Sequence, residues 1–180
     1  MSKGAPSLPA VPASAYVNAV AQHVSSVCVI TTAIGSQRFG LTATAVSSVS
    51  ADPPRLLVCI NKSGVTHDRI HQAGKFCVNV LTEEQDRIAM IFAGMAGDVA
   101  DRFDTGDWTT LKTGAPVLQG AVAAFDCLLG ESSDQASHSV LFGDVVATTN
   151  QTGVDTLLYG GRRFRQLRKM YSGGSVNDYL

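Results

Sequence analysis

Residues 61–67, which read NKSGVTH, form the most informative segment of the chain. They follow an apolar stretch and precede a short helical pattern, so their polar groups gather at a helix N-terminus. Free backbone N–H groups and the positive end of the helix dipole favour a phosphate at such a position. An amide, an ammonium and two hydroxyls are supplied by Asn61, Lys62, Ser63 and Thr66. The alternative is an ordinary helix cap with solvated polar groups.

Small and hydroxylated side chains fill residues 42–50, which read TATAVSSVS. On a strand, such side chains leave space along one face. A flat ligand can then reach the backbone N–H and C=O groups directly. The alternative is an edge strand whose polar side chains face solvent.

Two further candidates are single basic side chains. Arg102 can pair with a phosphate, and its neighbour Phe103 can pack on a ring, although a surface ion pair is the simpler interpretation. His138 lies between two serines at the start of a strand. It can contact a nicotinamide or a phosphate, or it can simply form local hydrogen bonds.

A basic cluster covers residues 162–169, which hold five of the 14 Lys and Arg residues. Phe164 and Leu167 interrupt it, and the whole chain has a net charge of −1. A dedicated nucleic-acid-binding domain normally has a general basic field, which this chain lacks. A strand with its basic face near an anionic dinucleotide, or a solvated tail, fits the cluster better.

Several common motifs are missing from the sequence. No GxGxxG follows the first strand, and the glycines at 35–40 have P-loop spacing without the P-loop lysine. His67 and His71 lie four residues apart and share a helix face, but Asp68 is the only further ligand nearby and is expected to point elsewhere. We therefore expect no metal site.

Hydrophobic patterns predict the elements that carry these residues. Helices are predicted at 13–23 and 66–73, and a capping box at 82–85 opens a third. Strands are predicted at 27–34, 39–50, 55–60, 76–81, 121–130 and 139–148, with a last pair turning at Gly160 and Gly161. This order lacks the alternation of a doubly wound sheet. It indicates a mainly β protein with inserted helices, built as an antiparallel barrel or sandwich.

Length and composition define the class of protein. The 180 residues predict one domain at 13–170, with a flexible leader at 1–12 and a tail at 171–180. Only 16% of residues are charged, against roughly 25% in an average soluble domain. Such a composition excludes intrinsic disorder and suggests that a partner subunit or a large ligand covers part of the surface.

Targeting and redox features point to the cytoplasm. The sequence shows no transmembrane stretch and no secretory signal. Its four cysteines contain no CxxC pair and lie in apolar runs, as buried reduced thiols do.

Taken together, the segments resemble the short-chain flavin reductase family, the reductase components of two-component flavin-dependent monooxygenases such as the 4-hydroxyphenylacetate hydroxylase reductases. The similarity rests on VCVITT at 27–32, GLTATAVSSVSADPP at 40–54 and VCINKSGVTH at 58–67. It continues through FCVNVL at 76–81, DRF at 101–103, GAPVL at 114–118 and YGGRRF at 159–164. The blocks are specific in order and spacing.

The resemblance implies a split β-barrel with Greek-key connectivity, a homodimer, and FMN or FAD at the dimer interface. It implies that the flavin ring or ribityl chain contacts Thr42, Ala43, Thr44, Ala45 and Val46. The ribityl chain and phosphate would be held by Ser47, Ser48, Asn61, Lys62, Ser63 and Thr66. Arg102 and Phe103 would close the site. The nicotinamide of NADH, or of NADPH, would lie near His138, Tyr159, Arg162 and Phe164.

One position departs from the family pattern. Many members have Gly-Asp-His where this chain has Ala136-Ser137-His138, so the orientation of the histidine and the choice of NADH over NADPH are open. The implied reaction is hydride transfer from the nicotinamide to flavin N5, followed by delivery of reduced flavin to a partner monooxygenase. The alternatives are a reductase that keeps its flavin and reduces a corrinoid or ferric complex, and a non-enzymatic flavin- or haem-binding split barrel.

Overall fold

The structure is a computed structural model that describes residues 8–97 and 101–167. The predicted tail, most of the predicted leader, and Arg168 and Lys169 of the basic cluster lie outside the described residues. Three α-helices are described: α1 (Ala13–Val20), α2 (Val65–Ala73) and α3 (Asp86–Phe92). The strands are β1 (Ser25–Ser26), β2 (Cys28–Ile34), β3 (Gln37–Ala43), β4 (Val46–Ala51), β5 (Pro54–Asn61), β6 (Lys75–Val80), β7 (Trp108–Thr110), β8 (Pro116–Leu118), β9 (Ala123–Gln135), β10 (His138–Asn150), β11 (Leu158–Gly160) and β12 (Arg163–Arg165).

A seven-stranded antiparallel sheet forms the body of the fold, in the order β3-β2-β6-β9-β10-β5-β4. Its two outer strands, β3 and β4, are consecutive in the chain and are separated only by Thr44 and Ala45. The two edges of the sheet must therefore approach each other. The N–H of Cys59 in β5 donates to the carbonyl oxygen of Ala45 at 2.9 Å and partly bridges the opening. The result is a barrel that is split where β3 passes into β4, so the predicted antiparallel barrel is confirmed.

Apolar side chains pack on both sides of the sheet. The inner cluster fills the barrel, and Ile70 of α2 packs into it beside Ile30, Phe76 and Val78. The outer cluster covers the other side of β2, where α3 packs with Phe103 and Trp108. Because both faces of β2 are covered, nearly every residue of this β-branched strand is buried, including Thr31 and Thr32.

Local signals at the helix ends are confirmed. Gly74 ends α2 in the left-handed conformation with φ 66°, as expected for a glycine after a helix. The capping box at Thr82 and Gln85 is present, but it opens a short 3₁₀ turn, Glu83–Gln85, that leads into α3. None of the helices in the described part of the chain is long and apolar enough to cross a membrane.

Three local predictions are wrong in detail. The strand predicted at 39–50 is two strands, because the chain crosses the barrel opening at Thr44 and Ala45. The last turn is centred on Gly161 and Arg162, which have φ values of 62° and 61°, whereas Gly160 belongs to β11. Asp68 does not point away from His67, since its carboxylate lies 3.0 Å from Nδ1 of that ring.

Candidate functional site

A cleft of about 460 Å³ opens at the split of the barrel, within the range of small-molecule sites. The end of β3 and the following link form one wall, through Thr42, Ala43, Thr44 and Ala45. The opposite side is formed by Asn61, Ser63, Gly64 and His138. The structure thus brings together parts of the segments 42–50 and 61–67. It also brings His138 to them, although this residue lies 71 residues or more beyond them in the chain. The small side chains of the first wall leave room for a flat ligand.

The loop at 61–64 is a turn held by Asn61 that leads into the N-terminus of α2. The Oδ1 atom of Asn61 accepts hydrogen bonds from the backbone N–H and the hydroxyl of Ser63, both at 2.9 Å. Gly64 is extended and precedes α2, a nine-residue helix whose first amide groups have no intrahelical partner. A phosphate at the helix N-terminus would receive these N–H groups, so the residues present fit a flavin phosphate.

Lys62 and Thr66 are already engaged elsewhere. The ammonium of Lys62 lies 3.3 Å from a carboxylate oxygen of Asp134. The buried hydroxyl of Thr66 donates to the carbonyl oxygen of Gly40 at 3.2 Å. The Thr66 hydroxyl therefore holds the wall of the cleft, whereas the ammonium of Lys62, which is partly exposed, keeps further N–H groups for a ligand.

The segment containing Arg102 and Phe103 supports the cleft from behind. Phe103 is buried in the outer cluster, with its ring edge-on to Phe92 at 5.0 Å between centroids. Nη1 of Arg102 donates to the carbonyl oxygens of Phe92 at 3.3 Å and of Gly40 at 3.5 Å. Phe92 itself lines the cleft, so this pair acts on the site through Phe92.

His138 begins β10 directly opposite Asn61 of β5. The hydroxyl of Ser137 lies 2.9 Å from Nδ1 of the imidazole. The serine that stands where many family members have aspartate therefore still contacts the histidine ring.

Two neighbouring clefts share the Thr44 position with the first. One, of about 440 Å³, contains the predicted nicotinamide-side residues Tyr159, Arg162 and Phe164. The other, of about 390 Å³, is lined by Val46 and Ser47, by the end of α1 and by Tyr159. Ser48 is exposed on β4. The predicted flavin residues are thus spread over all three clefts, two of which they share with Tyr159, and His138 lies in the first cleft.

Comparison with known proteins identifies the family, because the flavin reductase-like domain matches residues 20–168. The chain belongs to the flavin reductase-like domain family. A protein named FMN reductase (NADH) RutF 2 from Methylorubrum extorquens (strain PA1) is 44% identical over 158 residues, which are 88% of this chain and 91% of that protein.

Two solved structures extend this similarity. The NADH:FAD oxidoreductase SgcE6 of Streptomyces globisporus C-1027 superposes with a TM-score of 0.80 and is 32% identical, covering 91% of this chain and 99% of its own. The styrene monooxygenase flavin reductase from Pseudomonas putida S12 has a TM-score of 0.76 and 26% identity, with 85% and 97% of the two chains covered. Both neighbours therefore share the fold of this chain over nearly their whole length.

Several contacts at and beside the cleft are not predicted by the sequence. Cys59 is half-buried and lines two of the clefts. His67 and Ser139 are buried and lie 2.9 Å apart, Nε2 to Oγ. Ser139 donates to Asp134 at 2.6 Å. No local sequence pattern predicts these contacts, because Asp134 and Ser139 are about 70 residues away in the chain from Lys62 and His67, which they contact.

The hydrogen bond from Ser139 is the largest influence on the Asp134 carboxyl. Together with the ammonium of Lys62 it holds the pKa of Asp134 below its usual range. Asp134 is therefore a carboxylate at neutral pH, able to accept from both partners.

Proposed function

We propose that this protein is an NADH-dependent flavin reductase that moves a hydride from the nicotinamide to the flavin and passes the reduced flavin to a separate oxygenase. One observation carries the proposal: the cleft in which the small side chains of 42–45 face the loop at 61–64 and His138. A flat ring system fits along the small side chains, and a phosphate fits the helix N-terminus. The name of the Methylorubrum extorquens relative, FMN reductase (NADH), supports both cofactors.

We assign the flavin to the first cleft and to the adjoining cleft lined by Val46 and Ser47. The ring and ribityl chain lie along Thr42, Ala43, Thr44, Ala45 and Val46. The ribityl chain and phosphate extend toward Ser47, Ser48, Asn61, Lys62 and Ser63. Thr66, Arg102 and Phe103 act from behind, because their hydrogen bonds and packing hold Gly40 and Phe92.

We assign the nicotinamide to the space between His138 and the cleft of Tyr159, Arg162 and Phe164. The aromatic rings of Tyr159 and Phe164 pack edge-on, 5.8 Å between centroids, and provide an apolar surface beside two arginines. An apolar surface with a cationic rim suits a dinucleotide, whose ring is flat and whose diphosphate is anionic.

Flavin, when bound, supplies the hydride-accepting chemistry, and the chain supplies position and shelter. The backbone from 42 to 45 orients the ring, and Phe92 and Ala93 close one side of the cleft against water. His138 orients the nicotinamide, with its own ring oriented by Ser137. No side chain needs to give or take a proton during the hydride step. The proposed reaction therefore requires no indispensable catalytic acid or base.

Both FMN and FAD are candidates for the flavin. The Methylorubrum extorquens relative is named for FMN, whereas the Streptomyces globisporus neighbour is named for FAD. The cleft lined by Val46, Ser47 and the end of α1 leaves space for the longer adenine arm of FAD. NADH is favoured over NADPH because both names specify NADH.

We also propose a homodimer. Helix α1 has no buried residue, and Tyr16, Val17 and Val20 are 61%, 53% and 49% exposed. A contiguous apolar face of this kind marks an interaction surface, and it adjoins the cleft lined by Val20 and Tyr159. A second copy on this face would cover the charge-poor surface and complete the flavin site.

The partner and compartment follow from the family context. The Pseudomonas putida neighbour is named as the flavin reductase of styrene monooxygenase, which supports a flavin-dependent monooxygenase as the acceptor of reduced flavin. The four cysteines are free thiols, which suits the reducing cytoplasm. Residues 13–170 form the single catalytic domain in this proposal.

The test is steady-state NADH oxidation by the purified protein, measured with FMN, FAD and riboflavin in turn. We expect rapid turnover with FMN or FAD and slower turnover with riboflavin, which lacks the phosphate. No NADH oxidation with any flavin would overturn the proposal. A colourless protein indicates flavin as a substrate, and a yellow one indicates a bound prosthetic group. Light scattering tests the dimer, and a monomer would contradict it.

A further inference from the structure

A chain of hydrogen bonds joins the loop at 61–64 to the tip of the β9–β10 hairpin. Ser139 is completely buried, and its hydroxyl donates to Oδ1 of Asp134. Oδ2 of Asp134 pairs with the ammonium of Lys62 at 3.3 Å. Nε2 of His67 lies 2.9 Å from the same hydroxyl oxygen of Ser139 and links α2 to this pair. The chain therefore runs from α2 through β10 and β9 to the loop.

The backbone strengthens the same junction. The N–H of Lys62 donates to the carbonyl oxygen of Ser137 at 3.0 Å. Ser139 and Asp134 are directly paired across the two strands. Lys62 is thus held at both its backbone and its side chain, and both attachments lead to the turn that precedes His138.

The turn itself is strained. Ala136 has a φ of 50°, in the left-handed region that residues with a Cβ adopt only at a cost. A strained turn needs contacts that hold it, and those contacts come from Asp134 and Lys62.

We propose that Asp134, with Ser139 and His67, is a positioning relay that fixes the strained turn before His138 against the loop at 61–64, and so sets the place of His138 in the cleft. The inference rests on the proposed function, since His138 is assigned there to the nicotinamide. None of the three residues needs to touch a ligand. Their effect passes through Lys62 and the turn.

The first experiment compares Asp134→Asn with the wild type. The amide oxygen still accepts from Ser139, but the charge that holds Lys62 is lost. We expect the KM for NADH to rise about three- to tenfold while kcat stays within about twofold. Glu131→Gln is the matched control, because Glu131 is an exposed carboxylate on the same strand. It should leave both constants unchanged. An unchanged KM in Asp134→Asn would overturn the positioning role.

Hydrogen–deuterium exchange gives a readout that does not depend on turnover. In Asp134→Asn, peptides covering 61–64 and 134–139 should exchange about tenfold faster, whereas Glu131→Gln should match the wild type. Unchanged exchange in Asp134→Asn would overturn the relay. If the wild type oxidises no NADH with any flavin, the proposed function fails, and the exchange result still decides whether the relay holds the turn.

Ala136→Gly tests the role of strain. Glycine removes the strain that the relay opposes, so Asp134→Asn made in the Ala136→Gly protein should raise the KM for NADH by less than about twofold. If the two substitutions are additive, strain at Ala136 plays no part and that step of the proposal is overturned.

Discussion

The hydroxyl of Thr66 donates a hydrogen bond to the carbonyl oxygen of Gly40, 3.2 Å away. Thr66 lies in the first turn of α2, and Gly40 lies two residues before the wall of the cleft that begins at Thr42. Since His67, the next residue, reaches Ser139 on β10, the first turn of α2 is attached to strands on both sides of the cleft. Helix α2, which follows the loop at 61–64, is therefore fixed relative to the wall of the cleft at 42–45.

Thr66→Val tests whether this hydroxyl is structural. The substitution keeps the shape of the side chain but leaves the Gly40 carbonyl with only the long contact from Arg102 at 3.5 Å. Urea unfolding should show a loss of about 0.5–1.5 kcal/mol. The dissociation constant for FMN should change by less than about threefold, because the hydroxyl does not face the cleft.

Ser63→Ala is the matched comparison for Thr66→Val. Its hydroxyl is exposed beside the cleft and bonds only within the loop, so its loss should weaken FMN binding more than it lowers stability. If Thr66→Val instead weakened FMN binding by about tenfold at unchanged stability, Thr66 would be a phosphate ligand.

Gly40→Ala tests the close packing of Phe92 on the barrel. A Cβ at Gly40 would lie 2.6 Å from Cε1 and 2.8 Å from Cδ1 of the Phe92 ring, so the ring must move. Overpacking of this kind costs about 1–3 kcal/mol of unfolding free energy. Because Phe92 lines the cleft, FMN binding should weaken as well.

Gly130→Ala is the control for that substitution. A Cβ there meets nothing closer than the Phe142 carbonyl oxygen at 3.4 Å. Its effect on stability should stay within about 1 kcal/mol, the cost of ordinary strand substitutions. A Gly40→Ala protein as stable as Gly130→Ala would show that Phe92 moves freely.

Much of the fold is predictable from local patterns, and the exceptions share one cause. Gly74 and the capping box at Thr82 act over four residues or fewer, so sequence reasoning finds them. The break at Thr44 and Ala45 is different, because the alternation of side chains continues through it. Only the distant pairing of Ala43 with Cys28, and of Val46 with Val58, separates the two strands. No local signal specifies which sheet edge a strand joins.

The same reason limits prediction of the site. The segments at 42–45 and 61–64 are recognisable because small or polar residues are unusual inside apolar strands. The resemblance implies that Phe103 closes the site, and the structure places its ring in the outer cluster, because an aromatic residue in a loop can serve a core equally well. Asp134 was missed because its role depends on Lys62, which is 72 residues away in the chain.

Flavin binding should protect Cys59 from alkylation. Burial raises the pKa of Cys28 to about 11 and of Cys127 to about 12, and it also raises that of Cys77, so these thiols react slowly. Cys59 is half-buried and lies between two clefts. Iodoacetamide at about pH 8 should therefore label Cys59 first, as peptide mass spectrometry can establish.

Saturating FMN should slow the alkylation of Cys59 by about tenfold or more, because only the fraction of the protein that is free of flavin reacts. NADH alone serves as the control and should protect less. If FMN left the rate unchanged, the flavin would not lie across the link between β3 and β4.

His138→Ala should separate binding from chemistry. Because the proposed role is to orient the nicotinamide, the KM for NADH should rise about tenfold, and kcat should fall less than that. Ser137→Asp restores the family pattern beside the histidine. Since Ser137 already lies 2.9 Å from Nδ1, we expect less than about a threefold change in KM. Complete inactivity of His138→Ala with intact FMN binding would instead assign a direct chemical role to the imidazole.

Alkaline pH should destabilise the protein through its buried thiols. The pKa of Cys28 is raised to about 11 by burial, and that of Cys127 to about 12 by burial and by the carboxylates of Asp126 and Asp144. In the unfolded chain a thiol ionises near about 8.5, so above that pH the unfolded state binds fewer protons than the folded state. The stabilisation is complete below about pH 8.5 and is lost as the pH rises toward 11 and 12, at up to about 1.4 kcal/mol per pH unit for each thiol.

Urea unfolding between about pH 8 and pH 10 measures the slope of the unfolding free energy against pH. Cys127→Ala should flatten it, whereas Val78→Ala, which also removes buried volume but no titrating group, should lower the curve without changing its slope. Parallel curves for the wild type and Cys127→Ala would show that the Cys127 thiol does not contribute to alkaline unfolding.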